Sequence, residues 1–249
     1  MPESNWFESW FDSHYYHILY RHRNEAEAAY FLDHLMVFLK LPDNAKIWDM
    51  ACGKGRHVIH LLEKGFDAIG SDLSRNSILK ANQHSLITSR ENDSFFVHDM
   101  RESLKRSYFD LVLNIFTSIG YFDSREDNQK VFSSAYDSLK PGGIFVIDFF
   151  NAKKVVENIV YAEKKNSEGV QFEITRNLQE HRIIKKIIIK DLEKIMAFEE
   201  RVELLDEFDF MNLASVTGFE IIQKFGSYAL DGFDKKLSDR LIIVFQKKR

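Results

Sequence analysis

Residues 47–57, Ile-Trp-Asp-Met-Ala-Cys-Gly-Lys-Gly-Arg-His, constrain the fold more than any other stretch of the chain. A short apolar run ends at Asp49, two glycines follow at Gly53 and Gly55, and a helical pattern begins at Arg56. This order predicts a strand, a tight turn and the start of a helix. Glycine lets the backbone approach a ligand closely, and the first free N–H groups of a helix donate to anionic groups. The stretch is therefore a predicted ligand-binding turn.

The pattern between residues 46 and 150 alternates strands with helices. The predicted strands are 47–51, 66–71, 94–98, 108–114 and 144–150. The predicted helices are 56–64, 74–88 and 124–140, and residues 141–143, Pro-Gly-Gly, are a predicted turn. Five strands separated by helices predict right-handed β-α-β units and one parallel sheet.

Beyond residue 150 the pattern changes. Three runs of strand-forming residues follow one another without room for helices: 170–178, 182–190 and 195–205. Adjacent strands with short links pair antiparallel, so these runs predict a small sheet inserted into the main fold. We expect the face of this sheet that carries Lys185, Lys190 and Glu193 to be solvated.

The two ends of the chain complete the predicted architecture. An aromatic stripe in the first twenty residues and a capping-box pattern at Asn24 and Glu27 predict helical cover, with a helix over residues 25–40. A helix near 208–217 and strands at 219–225 and 241–246 follow the insert. We expect one domain with four parts: a helical lid (1–44), a ligand-binding core (45–150), an inserted lid (165–206) and a last segment of the core (207–249).

Composition limits the classes of partner. The chain has 249 residues and a net charge of −4, which does not favour general affinity for nucleic acid. Its single cysteine, Cys52, forms neither an intramolecular disulfide nor, alone, a metal site. No signal-peptide pattern or membrane-length apolar run is present, so we expect a cytoplasmic protein. We also expect no metal site.

Acidic and amide residues at later strand ends identify the ligand more narrowly. A dinucleotide fingerprint needs a third glycine, but Val58 occupies that position. Asp72, Asp99 and Asn114 end the next three strands, and carboxyl ends of parallel strands meet in one crevice. A carboxylate only accepts hydrogen bonds, which suits Asp72 to a ribose diol and Asp99 to the amine of adenine. The pattern predicts an adenosine-containing ligand without a pyrophosphate.

These motifs resemble those of class I S-adenosylmethionine-dependent methyltransferases. The resemblance rests on five segments: the acidic-x-G-x-G motif at 49–55, Asp72, Asp99-Met100, Phe-Asp-Leu-Val at 109–112, and Leu-Lys-Pro-Gly-Gly at 139–143. Ala51 departs from the pattern, since the family usually has glycine there. The resemblance implies a Rossmann-like α/β fold with a seven-stranded, mostly parallel sheet whose last strand is antiparallel. Weaker similarities, including Arg56-His57 and Ser238-Asp239-Arg240, point to a bacterial small-molecule subgroup.

The resemblance also implies a cofactor site for S-adenosylmethionine. It assigns cofactor contacts to Asp49, Ala51, Gly53, Gly55, Arg56, Asp72, Leu73, Asp99, Met100, Asn114, Phe116 and Arg23. In this assignment Gly53 and Gly55 admit the methionine part and Asp49 holds its amino group. Asp72 takes the ribose, Asp99 with Met100 takes the adenine, and residues 114–116 close the floor near the sulfonium.

Three residues are candidates on the acceptor side: Tyr121, Tyr20 and His57. Ordinary packing is the alternative for each of them, and Arg56 is equally a cofactor ligand, a ligand for a substrate anion or a solvated helix residue. The resulting hypothesis is in-line methyl transfer to a nitrogen or oxygen of a small molecule. An RNA or protein methyltransferase and a catalytically silent S-adenosylmethionine-binding protein are the alternatives. Asn-Ile-Phe-Thr at 114–117, in place of an Asn-Pro-Pro-Tyr-like segment, argues against a base-modifying enzyme.

Overall fold

The structure, a computed structural model, describes residues 6–21, 25–88 and 93–249, with the side chains of residues 6–8, 85 and 88 excepted. The strands are β1 (Lys46–Met50), β2 (Asp67–Asp72), β3 (Phe95–Val97), β4 (Phe109–Asn114), β5 (Leu139–Phe150), β6 (Ala162–Ser167), β7 (Val170–Gln179), β8 (Arg182–Asp191), β9 (Lys194–Glu203), β10 (Phe219–Phe225) and β11 (Arg240–Lys247). The helices are α1 (Trp6–Phe11), α2 (His14–Leu19), α3 (Glu25–Leu39), α4 (Arg56–Glu63), α5 (Arg75–Asn82), α6 (Ser85–Thr88), α7 (Arg125–Ser138), α8 (Ala152–Glu157) and α9 (Glu207–Thr217).

Seven strands form the large sheet, in the order β10-β11-β5-β4-β1-β2-β3. β1 to β5 pair parallel, whereas β11 pairs antiparallel with both β5 and β10. This confirms the predicted Rossmann-like α/β fold with its antiparallel last strand. Because β1, β2 and β4 are parallel neighbours, the turns after them meet at one edge of the sheet.

Alternation along the central strands builds two apolar layers. Ile47 belongs to the layer that α3, α4 and α5 cover, and its neighbour Trp48 belongs to the layer under α7 and α9. Both side chains are fully buried. Successive residues of a strand point to opposite faces, so a sheet covered on both sides is apolar along nearly its whole central length.

The inserted sheet has four antiparallel strands, β6-β7-β8-β9, and α1 and α2 cover one of its faces. Trp10 and Leu19 pack there against buried side chains of β7 and β8, including Ile187. Lys185 lies two residues before Ile187 and therefore points to the same covered face. The expectation that Lys185 is solvated is wrong, because its side chain is only 12% exposed and pairs with Glu200.

Three further features of the structure differ from the sequence analysis. β6 was not predicted, because Ala162–Ser167 is a polar, exposed edge strand without an alternating apolar pattern. The predicted turn at 141–143 is an interruption inside β5, where the pairing passes from Phe109–Leu139 to Leu111–Ile144. The helix expected over 74–88 is divided into α5 and α6.

The helix expected over 25–40 is confirmed by α3, and the Asn24 cap lies outside the described residues. Among the described residues, no helix is long and apolar enough to cross a membrane.

Candidate active site

A cavity of about 870 Å³ lies where the turns after β1, β2 and β4 meet. Ala51, Asp72 and Ile115, which end or follow these strands, line its floor. Tyr16 and Tyr20 of the α2 segment line it from the opposite side. The large sheet and the N-terminal helices therefore enclose a space within the size range of small-ligand sites.

The turn after β1 adopts the left-handed conformation at three positions, with φ values of 57° at Ala51, 57° at Gly53 and 81° at Gly55. Ala51 carries a Cβ in this conformation, which costs on the order of 1 kcal/mol. A Cβ on Gly55 would lie 2.3 Å from the ring of Phe95, so this glycine is required by packing. Gly53 lines the cavity, whereas Gly55 is buried beneath it.

Asp72 ends β2 and connects this turn to the next helix. Its Oδ2 accepts a hydrogen bond from Gly53 N at 2.8 Å, and its Oδ1 accepts one from Ser74 N at 2.8 Å. Burial raises the pKa of the Asp72 carboxyl, and the nearby charge of Asp49 adds to this effect, although the two backbone donors oppose it. Each oxygen retains a lone pair for a ligand.

The cap of α5 is Ser74, whose Oγ accepts from Ser77 N at 3.0 Å. The Asp72 carboxylate is therefore not the N-terminal cap of this helix.

Buried polar atoms beneath the cavity have no hydrogen-bond partner among the described residues. They are Oδ1 and Oδ2 of Asp49, Nε2 of His57 and Oδ1 of Asn114. Asp49 is only 1% exposed, and its Oδ2 lies 3.5 Å from His57 Nδ1. Leaving such groups unsatisfied is unfavourable, which is typical of a site that a polar ligand completes. A ligand ammonium group would satisfy the Asp49 carboxylate.

The turn after β4 is held in an uncommon conformation. Phe116 and Thr117 have φ values of 65° and 62°, which non-glycine residues rarely adopt. Asp148 holds both, since its Oδ2 accepts from Phe116 N and its backbone oxygen accepts from Thr117 N, each at 2.9 Å. Phe116 lines the cavity, with the guanidinium of Arg56 4.0 Å from its ring centroid. Strain of this kind is concentrated at functional sites.

Asp148 is itself fully buried and strongly bonded. Its carboxylate accepts from Arg240 Nε at 2.7 Å and from the Tyr228 hydroxyl at 3.1 Å. Arg240 also donates to Thr117 Oγ1 at 3.2 Å. Arg240 and Tyr228 are not part of the cavity lining, and the Tyr228 ring lies 5.5 Å from the Phe116 ring. Sequence reasoning missed Asp148, whose only signal is an acid near the end of an apolar strand.

The wall opposite the sheet is aromatic and connected to the inserted sheet. Tyr121 lies against Phe11, with ring centroids 5.2 Å apart, and both line the cavity. The Tyr20 hydroxyl donates to Glu200 of β9, at 2.7 Å from Oε1, and accepts from Lys185 of β8. Sequence reasoning missed Glu200 and Lys185, because pairing between distant segments leaves no local pattern.

The structure brings most of the predicted site residues to one cavity. The lining includes Tyr20, Ala51, Gly53, Arg56, His57, Asp72, Leu73, Met100, Phe116 and Tyr121. Asp49, Gly55, Asp99 and Asn114 are not part of the lining, although Asp49 contacts His57 and Asn114 donates to Met100 Sδ at 3.3 Å. Arg23 lies outside the described residues.

Asp99 differs most from its predicted role. Arg101 binds its carboxylate through two nitrogens at 2.7–3.1 Å. Burial alone would raise the pKa of Asp99, but the hydrogen bonds and charge of Arg101 lower it. The carboxylate is thus occupied by an intramolecular ion pair, whereas His98 and Met100 on either side of it line the cavity. The adenine contact assigned to the Asp99 side chain stays a prediction, and a ligand amine would have to share this carboxylate with Arg101.

Comparison with known proteins places this site in context. The family model described as methyltransferase domain matches residues 41–210. A glycine/sarcosine N-methyltransferase of Parasynechococcus marenigrum (strain WH8102) is 30% identical over 141 residues, 54% of this chain and 47% of that protein. A dTDP-3-amino-3,4,6-trideoxy-alpha-D-glucopyranose N,N-dimethyltransferase of Streptomyces venezuelae is 28% identical over 123 residues, 49% of each protein. The matched segments thus span about half the length of these curated relatives.

The fold extends the similarity over nearly the whole chain. The crystal structure of a S-adenosylmethionine-dependent methyltransferase from Clostridium acetobutylicum ATCC 824 superposes with a TM-score of 0.79. It covers 95% of this chain and 97% of the other at 20% sequence identity. The likeness at this identity concerns the fold alone.

Proposed function

The chain belongs to the methyltransferase domain family, and from this premise we propose that it transfers a methyl group from S-adenosylmethionine to an amine nitrogen of a small molecule. The observation that carries the proposal is the enclosed cavity, whose floor includes the Asp72 carboxylate and lies above the unsatisfied atoms of Asp49 and His57. Two relatives bear names of N-methyltransferases, which favours nitrogen over oxygen as the acceptor atom.

The residues present fit the cofactor. Asp49 offers a buried carboxylate to its amino group, Asp72 offers two acceptor oxygens to the ribose hydroxyls, and Leu73 with Met100 offers apolar contact to the adenine. Arg56 and Arg23 are the proposed partners of the cofactor carboxylate. S-adenosylmethionine supplies a methyl group that its sulfonium already activates. The protein then needs to provide alignment and exclusion of water, and alignment can contribute roughly 7–11 kcal/mol.

An amine must lose its ammonium proton before it attacks. His57 Nε2 is the group we assign to accept that proton, since it has no hydrogen-bond partner among the described residues and the ring lines the cavity. Asp49 Oδ2 lies 3.5 Å from its other nitrogen. A positioned base typically contributes about 10²- to 10⁴-fold. Tyr121 and Tyr20 are proposed to contact the acceptor from the opposite wall.

The enclosure supports a small acceptor over RNA or protein. The segment containing α1 and α2 is attached on both sides of the cavity, through Trp10 Nε1 to Glu200 Oε1 at 2.6 Å and through Asp12 to Ser74 Oγ at 2.6 Å. A folded macromolecule would have to displace it. We retain a cytoplasmic location as part of this proposal.

A panel assay tests the function directly. The purified chain is incubated with methyl-labelled S-adenosylmethionine and glycine, sarcosine, primary amines or amino sugars, and products are identified by mass spectrometry. We expect one amine class to gain a methyl group, with S-adenosylhomocysteine formed in equal amount. Methylation of hydroxyl groups alone, or of RNA or protein from a cell extract alone, would contradict the proposal. Cofactor binding without any product would favour a catalytically silent binding protein.

A further inference from the structure

One end of the cavity carries basic side chains that methyl transfer does not require. This basic end consists of His17, Lys54, Lys80 and His84, all of which line the cavity. His17 comes from α2, Lys54 from the turn after β1, and Lys80 and His84 from α5 and the two residues that directly follow it. Three separate segments of the chain thus bring basic side chains together at one place.

The two lysines of the basic end have no direct counter-ion in the part of the chain that the structure describes. Within residues 6–21, 25–88 and 93–249, no carboxylate oxygen lies within 4.0 Å of the ammonium nitrogen of Lys54 or Lys80. Many other lysines of the described chain do have such a partner, as Lys64 does with Asp33 at 3.1 Å. Within these residues, the positive charge at this end is therefore not neutralised by an ion pair.

Two acids of the neighbouring segments, Asp12 and Asp72, are hydrogen-bonded to neutral donors. Asp12 Oδ1 accepts from Ser74 Oγ at 2.6 Å and from Asn76 N at 3.2 Å. Asp72 accepts from Gly53 N and from Ser74 N, each at 2.8 Å. Neither carboxylate forms an ion pair with Lys54 or Lys80 among the residues that the structure describes.

Crowding of positive charge has a measurable electrostatic consequence. The pKa of His17 is lowered to about 4, mainly by burial. The charges of Lys54, Lys80 and His14 also lower this pKa, and the charge of Asp12 opposes them. Burial and the charge of Lys80 likewise lower the pKa of Lys54. An anion bound between these groups would relieve the repulsion.

The fourth member adds a directed donor. Leu86 N lies 3.4 Å from His84 Nδ1, which acts as the acceptor of that contact. With Nδ1 as the acceptor, the ring N–H is at Nε2 and is directed to a ligand. The basic end thus combines two ammonium groups with an imidazole donor, and two positive charges match a dianion better than a carboxylate.

We propose that the basic end of the cavity, formed by His17, Lys54, Lys80 and His84, binds a phosphate group. S-adenosylmethionine has no phosphate, and its carboxylate is already assigned to Arg56 and Arg23. The phosphate therefore belongs to a second ligand. It is carried either by the methyl acceptor or by a nucleotide that competes for the adenosine position. The proposal names a binding site and does not depend on the proposed methyl transfer.

Calorimetric titration of the full chain with inorganic pyrophosphate at low ionic strength tests this site. We expect wild type to bind pyrophosphate and the double variant Lys54→Ala/Lys80→Ala to bind it roughly tenfold more weakly or worse. The matched control is Lys64→Ala/Lys130→Ala, which removes the same charge from lysines paired outside the cavity. Its affinity should stay within about twofold of wild type. Circular dichroism and the urea midpoint verify that both variants fold.

Repeating the titration with saturating S-adenosylhomocysteine distinguishes the two sources. Retained pyrophosphate binding identifies the phosphate as part of a ligand bound together with the cofactor, and lost binding identifies a competing nucleotide. NMR titration of the His17 ring should show its pKa rising when pyrophosphate is bound. No binding by wild type, or equal loss in both double variants, would overturn the proposal. Neither result would bear on whether an amine is methylated.

Discussion

Asp148 Oδ1 accepts a hydrogen bond from Arg240 Nε at 2.7 Å, 92 positions along the chain, and through this pair the last strand fixes the turn after β4. Asp148 is fully buried and Arg240 is 18% exposed at its side chain. The same carboxylate binds Phe116 N, so the ion pair and the strained cavity wall are one unit.

Removing one member of this pair should therefore be costly. Arg240→Met leaves the buried Asp148 charge uncompensated, and we expect a loss of about 3–5 kcal/mol in unfolding free energy. Urea denaturation measures it. The control is Lys154→Met, whose partner Asp239 is 82% exposed, and it should lose less than about 1 kcal/mol. Equal effects of the two substitutions would contradict the role assigned to Asp148.

The buried pair that joins the N-terminal helices to the inserted sheet supports a second prediction. Lys185 and Glu200 are 12% and 11% exposed, and Glu200 also binds Trp10 and Tyr20. Lys185→Met should destabilise the protein by several kcal/mol, and Glu200→Gln in the same chain should restore part of the loss. Lys186→Met, on a lysine 62% exposed, is the control with little effect. Additive effects of the two core substitutions would argue against a coupled pair.

Gly55 should tolerate no side chain. Its φ is 81°, and a Cβ added there would lie 2.3 Å from the Phe95 ring, so a substitution combines strain with overpacking, which together cost roughly 2–5 kcal/mol. Gly65→Ala has a similar φ of 90° but no atom within 4 Å, so it measures strain alone. The midpoint temperature of thermal unfolding should be much lower for Gly55→Ala than for Gly65→Ala. Similar midpoints for the two variants would show that Phe95 moves away without cost.

The raised pKa of Asp72 predicts how cofactor affinity depends on pH. Burial is the main cause, so in the folded protein this carboxyl takes up a proton at a higher pH than an unfolded aspartate does. Between the two pKa values the folded state holds more protons, so this group's contribution to stability falls as pH rises through that window. Ligand hydroxyls bind the ionised form, and affinity for S-adenosylhomocysteine should fall as pH drops through the folded pKa. In Asp72→Asn this decrease should be absent. Calorimetric titrations with S-adenosylhomocysteine from pH 7 down to pH 4 would measure the affinity of wild type and of Asp72→Asn.

The local sequence was sufficient to predict those parts of the site that are formed by residues close together in the chain. The turn at Gly53 and Gly55, the acid Asp72 and the Ser74 cap follow from residues that are close in the chain. Alternating strand and helix patterns also predicted the parallel sheet, because hydrophobic periodicity records which faces are covered.

The remaining features depend on contacts between distant segments. Asp148 and Arg240 meet only because β11 pairs with β5 in one register, which places Ile242 opposite Asp148 and Arg240 opposite Phe150. Lys185 is polar in sequence, yet the fold covers its face with α1 and α2. Register and the pairing of distant strands are properties of the folded chain.

The central claim is that the cavity floor is an adenosyl site with Asp72 at the ribose. Calorimetric titration of wild type and Asp72→Ala with S-adenosylhomocysteine, and of wild type with nicotinamide adenine dinucleotide, tests it most directly. Wild type should bind one equivalent of S-adenosylhomocysteine, and Asp72→Ala should lose about 1.5–3 kcal/mol of binding free energy, roughly 10- to 150-fold in affinity. Tight binding of the dinucleotide without binding of S-adenosylhomocysteine, or unchanged affinity in Asp72→Ala, would contradict the claim.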